Sequence, residues 1–473
     1  MTEMDLAFAG IEEIAALFRK RKLSPVELAK LILGRIDQLN PKLNSYITVT
    51  RDLALAQAGK AEAELFAPRG GKGRRDLGPL HGIPVSLKDN ICTAGIRTTA
   101  GSKILEDFLP QRDARLVAML KEAGAVIVGK TNLHEFAYGA TTNNPHYGPA
   151  RNPWDTSRIP GGSSGGSAVA VAAGLCYASV GTDTGGSIRI PAALCGVAGL
   201  KPTLHHVSVD GIIPLSTSLD TAGPLARSAS DAAIVLRAIA GPGIFPAGPW
   251  SPRKMLSKPR KIRLGLPKEF FFDVISPEIR TAFDGAVRNL RKLGAQIKEI
   301  SIPSLNTTED AGNQIAWPEA THFHEQSGWF PKRAGDYGED VRGRLEMGGK
   351  ISATVYLEGL ALRERFIYEL SSKMREASVD ALVVPTTPIP APLIGQETVR
   401  IAEKDYLART LLLRLNRPAN LAGVPAISIP CGSTASNLPI GLQFIGLHTS
   451  ELTLLRIAHT YELANPLNNR PPL

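Results

Sequence analysis

The sequence predicts an α/β protein built on a mixed, largely central β-sheet covered on both faces by helices, and two observations carry that expectation. Segments with apolar residues at helical spacing end at a glycine and run directly into short β-branched stretches, at 112–122 with 125–128 after Gly124 and at 277–293 with 295–300 after Gly294. Further short apolar runs, 83–87, 381–384 and 426–429, read as strands buried between helical layers.

Taken in order, the chain opens with two helices, 11–20 and 25–39. In the second, Ser24 is the N-cap, Pro25 the first helical residue and Glu27 the closure of a capping box, with Asn40 and Pro41 expected to end it. A glycine- and arginine-rich loop, 69–75, leads to the strand 83–87, which stops at Lys88. The Gly-, Ser- and Thr-dense stretch 160–202 is too apolar for a linker, and its small-residue segment 168–175 can pack as a buried helix. Residues 241–259, rich in proline and basic side chains, read as a surface crossing between two halves of one fold. The segment 313–368 is helical and rich in His, Trp, Phe and Glu, as a substrate-facing cover would be, and an amphipathic helix at 451–463 closes the chain.

Length alone leaves room for one large α/β domain or for two to three ordinary ones. Hydrophobic residues at 43% and charged residues at 21% give the balance of a soluble globular protein with a large core. The net charge of +10 is scattered apart from runs at 19–22, 69–75 and 253–263; no interleaved aromatics accompany them, which argues against nucleic-acid binding. Cys92, Cys176, Cys195 and Cys431 form no CxxC pair, so a reduced, cytoplasmic chain is expected. The N-terminus lacks a basic region before an apolar stretch, and the longest apolar run, 168–180, falls short of the roughly 18 residues a spanning helix needs. No membrane crossing is expected.

Several motifs fail on context. Residues 124–131 satisfy the Walker A pattern letter by letter, yet their four central residues are themselves a strand, where a phosphate loop needs a turn. Residues 161–165 fit G-x-S-x-G, so an esterase of the α/β-hydrolase type using Ser163 is an alternative, with His448 or His459 as base; the polar, proline-bearing segment 151–160 upstream does not read as the strand such an elbow follows. His134 and Glu135 lack the second histidine of a zinc motif, and neither His205 with His206 nor His322 with His324 has a carboxylate or thiol at a metal-ligating interval. No metal or cofactor is expected.

One constellation holds. GGSSGGS at 161–167 and GTDTGGSIR at 181–189 follow a lysine in SLKDN at 86–90, and the chain continues through SLDTAGPLARS, VVPTTP, NLAGVPAISIPCG and LPIGLQFIG. In these blocks, in their order and in their intervals, the chain resembles the amidase signature family over most of its length. The resemblance implies that family's fold, one domain over 1–473 including the cover at 313–368, and a triad in which Ser187 attacks a carbonyl, Ser163 relays the proton and Lys88 receives it. It also implies a cis peptide before Ser163. Chemistry agrees: a serine hydroxyl needs a neighbouring base, and a lysine serves only when burial lowers its pKa enough to leave it neutral. An ion pair between Lys88 and Asp89, or another acid, is the competing role for that lysine. Amides of Thr184, Gly185, Gly186 and Ser187 can approach an oxyanion closely where side chains are absent. Ser164, Asp183 and Arg189 are expected to brace these loops, and Cys195 to pack.

The resemblance implies hydrolysis of a small-molecule amide through an acyl-enzyme, with esters, anilides and carbamates compatible with the same residues. It allows a homodimer. The family's glutaminase subunit of a tRNA-dependent amidotransferase is the alternative; that subunit carries an acid shortly before NLAG to hold the glutamine amino group, whereas this chain reads RTLLLRLNRPA at 409–419. Its YDG-type segment is replaced here by AWPEATHFHEQSGWF. A free-standing amidase with an apolar or aromatic pocket is therefore the favoured expectation.

Overall fold

The computed structural model describes residues 2–68, 75–241, 244–245, 252–467 and 470–473. Eleven strands form one sheet: β1 (Tyr46–Val49), β2 (Pro84–Lys88), β3 (Val126–Thr131), β4 (Ala178–Asp183), β5 (Ala198–Lys201), β6 (Thr221–Ala226), β7 (Arg263–Pro267), β8 (Gln296–Ile300), β9 (Ala381–Pro385), and, beyond the small hairpin β10 (Thr398–Ile401) and β11 (Lys404–Leu407), β12 (Ala426–Ser433) and β13 (Pro439–Ile445). Their order is β1-β3-β2-β4-β6-β5-β12-β13-β9-β7-β8. Strands β3, β2 and β4 run parallel, as do β9, β7 and β8, while antiparallel pairs join the two groups. The expected mixed central sheet is present.

Both faces are covered, because every residue of β2, β3, β4 and β6 is buried. The edge strand β8 is mostly exposed and carries Lys298 and Glu299, charges that discourage edge-to-edge pairing. The small-residue helix Gly165–Ala172 is wholly buried against β2, β4 and β6, which its alanines and glycines allow by close approach.

Element boundaries mostly follow the expected ones, and the exceptions have physical causes. The helix with Ser24 as N-cap and Glu27 in its capping box runs to Leu43, through Pro41. A proline in the last turn forfeits a single bond, to the carbonyl of exposed Asp37, so the helix continues to Asn44 in the left-handed conformation. The opening helix Glu3–Phe8, strand β1 and the helix Arg51–Phe66 were not anticipated. Most of the loop at 69–75 and much of the crossing at 241–259 lie outside the described residues. The segment 313–368 is helical, in Thr308–Gln326, Glu339–Gly348 and Ala353–Glu376, which pack on one another. The Walker-like residues run into β3 as a strand, and Lys130 there is buried against Asp89. No helix among the described residues is long and apolar enough to cross a membrane.

One buried ion pair ties the centre together. Asp183 ends β4 and Arg189 opens the helix Arg189–Cys195; their side chains, both fully buried, meet at 3.0 Å. Arg189 also donates to the carbonyl of Asn416, to Gln443 Oε1 and to Asn420 Oδ1, and Asn420 returns a bond to Asp183. Burial would raise the Asp183 pKa, but Arg189 and these donors hold it well below the usual carboxylate range. Breaking such a pair on one side strands a buried charge. Arg189→Met is therefore expected to cost about 3–5 kcal/mol, read as a lowered urea midpoint, with Asp183→Asn in the same chain recovering part of the loss.

Candidate active site

Parallel pairing brings the C-terminal ends of β2 and β4 side by side, with Leu87 opposite Val180. Lys88 is the last residue of β2, and Thr182 stands near the end of β4. The Lys88 Nζ donates to Thr182 Oγ1 at 2.7 Å and to Ser163 Oγ at 2.8 Å. Lys88 is completely buried, and burial lowers its pKa to about 7 against the opposing pull of Asp220 and Asp183. Its neighbour Asp89 is engaged elsewhere, 3.3 Å from Lys130 and bonded by Thr99, so the competing pairing of Lys88 with Asp89 is not formed. Burial by itself does not single out Lys88, since Lys130 and Lys201 are equally hidden. Lys201 donates to the carbonyl of Pro202. Of the three, Lys88 is the one bonded to Ser163.

Ser163 stands just before the helix Gly165–Ala172, and the peptide Gly162–Ser163 is cis, as the resemblance implied. A side chain at Gly162 would meet the Thr141 nitrogen at 2.8 Å, so this loop requires glycine. Ser164 donates its amide to the carbonyl of Ser187 at 3.1 Å and its hydroxyl to the carbonyl of Thr182 at 3.1 Å, linking the two serine loops. The hydroxyl of Ser163 is bonded by an amine and no strand precedes it, against the elbow arrangement. The imidazole of His134, nearby in the chain fold, is committed to Thr141 and Asp340. His459 lies on the closing helix Glu451–Ala464, and His448 precedes it.

Asp183 shapes the glycine loop before Ser187. Its carboxylate accepts from the amides of Gly186 at 2.7 Å and Ile188 at 3.1 Å. This corrects the expectation for Gly186: its N–H is already used by a buried carboxylate, so it serves the loop through conformation rather than as an oxyanion donor. Its φ is +121°, and a Cβ would lie 2.5 Å from that of Asn416, which leaves glycine as the residue that fits. Thr184, Gly185 and Ser187 line one cavity. Asp220, absent from the sequence reading, accepts from the Thr184 hydroxyl and from the Leu215 amide, and burial raises its pKa to about 6. The register of β4 on β6, Asp183 opposite Thr221, places it there. Thr182 was also missed, although a hydroxyl residue at the end of the apolar strand β4 was its signal.

The cavity is closed on one side by Gly312, Ala316 and Trp317 of the helix Thr308–Gln326, and on another by Leu413 and Leu421. It is apolar there, as expected, but Tyr138, Arg409 and Arg417 complete the wall. No carboxylate lines it among the described residues. Nor, among those residues, does any group of three His, Cys, Asp or Glu side chains stand close enough to hold a metal ion.

Comparison with known proteins identifies the family. The amidase family model matches residues 27–455. The A-subunit of glutamyl-tRNA(Gln) amidotransferase from Geobacter metallireducens is 40% identical, over 98% of this chain and 98% of its own. A solved amidase structure is 35% identical, covers 96% of this chain and 99% of its own, and superposes with a TM-score of 0.87. The solved structure of the corresponding amidotransferase protein from Thermotoga maritima, also 35% identical, covers 100% of this chain and 98% of its own with a TM-score of 0.79. The whole-length sequence relatives thus favour the glutaminase alternative over the free-standing enzyme that the motifs suggested. What all of them share is decided: this chain belongs to the amidase family, whose members act on carbon–nitrogen bonds.

Proposed function

We propose that the protein hydrolyses an amide through an acyl-enzyme on Ser187, and the observation that carries the reading is the buried Lys88 amine bonded to the Ser163 hydroxyl. Ser187 Oγ attacks the carbonyl carbon, its proton passes to Ser163 and the proton of Ser163 to neutral Lys88. Negative charge on the carbonyl oxygen is met by the amides of Thr184, Gly185 and Ser187, which donate to no other group among the described residues. As the tetrahedral species collapses, the proton returns along the same path to the leaving nitrogen, and the amine departs. Water then repeats the sequence on the acyl-enzyme, releasing the acid and restoring Ser187. Thr182 holds the amine toward Ser163, which makes it a positioning residue.

Two substrate readings follow from different observations. Whole-length similarity at 39–40% to amidotransferase proteins supports glutamine as ammonia donor for a partner. The site chemistry supports a different amide acted on by the free-standing chain. Glutamine brings an α-ammonium, and a wall with two guanidinium groups and no carboxylate offers that cation repulsion rather than a partner. At equal identity the backbone also superposes better on the amidase than on the Thermotoga maritima amidotransferase protein. We favour the free-standing amidase.

Ser187→Ala and Lys88→Ala are each expected to lower kcat by about 1,000-fold or more while the fold persists by circular dichroism. In the unaltered chain a fluorophosphonate should form its adduct on Ser187; peptide mapping that finds it on Ser163 would favour the elbow instead. Because the reaction needs the neutral amine, kcat/KM should climb as pH rises through about 7, the value to which burial lowers Lys88. A profile that is flat or falling between about pH 6 and 8 contradicts a lysine base. Purified alone, the chain should turn over aryl or alkyl amides faster than glutamine. Glutamine-only activity that appears on adding a partner protein reverses the preference.

A further inference from the structure

The cavity that holds Ser187 contains two polar groups that the fold leaves without use. Tyr138 is 3% exposed, and its hydroxyl has no hydrogen-bond partner among the described residues. Arg409 is half-buried in the same wall; its Nε is fully hidden and unpartnered, and no described residue forms a hydrogen bond or ion pair with its guanidinium. Buried donors are satisfied in the great majority of cases, so two in one cavity need an account.

Positive charge surrounds the pair, and the acids of the adjoining cleft, Glu339, Asp340 and Glu397, form no hydrogen bond or ion pair with Arg409 among the described residues. Arg417, on the same wall, is taken up by the carbonyl of Glu309 and by Asn313 Oδ1. Arg344 stacks over the Tyr138 ring at 5.6 Å and pairs with Asp340 at 2.9 Å. Asp340 is also bonded to the His134 imidazole at 2.9 Å, so its carboxylate is already shared between a guanidinium and an imidazole. Burial, with Arg344 and Arg417 beside it, lowers the Arg409 pKa to about 9, a penalty that an incoming anion would relieve. Position adds to the argument, because Arg409 also lines the adjoining cleft with Thr141 and Leu393 and so stands where a substrate entering from that side would pass.

We propose that this pocket selects amides carrying a carboxylate a few bonds from the scissile carbonyl, bound jointly by the Arg409 guanidinium and the Tyr138 hydroxyl. The proposal rests on Ser187 being the nucleophile of an amide hydrolase. A guanidinium matches a carboxylate with paired N–H donors, and the phenol adds a third. The guanidinium that holds the carboxylate repels an α-ammonium beside it where no acid stands by, so under this proposal glutamine is a poorer substrate than the same amide without its ammonium.

The test compares succinamate and glutaramate with butyramide and pentanamide, their uncharged counterparts of equal length. The unaltered chain should favour the charged members by about 30-fold in kcat/KM, mostly through KM, since hydrogen bonds to a charged group contribute most in desolvated sites. Arg409→Gln should remove most of that ratio, Tyr138→Phe a smaller part, and Arg409→Lys should restore some of it. Calorimetry of glutarate against butyrate on the Ser187→Ala chain should show the same ordering without turnover. Equal kcat/KM for charged and neutral amides, equal losses on both in Arg409→Gln, or glutarate binding that ignores Arg409 would each overturn the proposal. Fluorophosphonate labelling in the same preparations separates the two levels: an adduct on Ser187 without carboxylate preference defeats only the specificity, whereas loss of both labelling and turnover defeats the hydrolase reading beneath it.

Discussion

Lys88 sits in a setting that has removed water without supplying a carboxylate in contact, and the chemistry proposed for this protein depends on that exclusion. An ammonium there would lose its hydration and gain, among the described residues, two hydroxyl neighbours, Ser163 and Thr182. Asp183 and Asp220 are near enough to favour the charged form, yet each is engaged by other donors. The balance leaves the amine poised near neutrality, where it can both take and return a proton. Had Asp89 turned toward it, the same lysine would be a structural cation. Lys130 shows that outcome one strand away.

The rest of the centre keeps three loops in register with that amine. The Asp183–Arg189 pair is shared by the end of β4, the glycine loop, and the segment carrying Asn416 and Asn420, so elements far apart in the chain close on one carboxylate. Its demands explain why Gly186 must be glycine while its N–H is unavailable for catalysis. Ser164 adds a second tie by bonding backbone on both Thr182 and Ser187. These are rigid supports, consistent with a site whose reacting groups must stay within hydrogen-bond reach.

The wall proposed to choose the substrate is the other one, where the helix Thr308–Gln326 meets the segment at 408–421. There the chain departs from an acid that could hold an amino acid's ammonium and presents Leu413 between Arg409 and Arg417. Membership of a family with amidotransferase relatives and a cavity wall carrying Arg409 and Arg417 are both facts of this protein. They separate the reaction, which the family shares, from the ligand, which these few side chains are proposed to select.

Local signals in the chain determined a good deal: the capping box at Ser24, the helix-to-strand transitions at Gly124 and Gly294, and the ordered blocks around Lys88, Ser163 and Ser187. Each is a short-range pattern whose physics is complete within a few residues, or a motif distinctive enough to recognise. Other features belong to distant partners. Whether Lys88 met Ser163 or Asp89, that Thr182 and Asp220 flank the site, that Gly186 spends its amide on Asp183, and that Tyr138 and Arg409 share one cavity all follow from strand pairing and loop closure. Only the tertiary structure decided them, because a hydrogen bond or a desolvated charge depends on which groups arrive at the same place, and the linear order of residues does not state that.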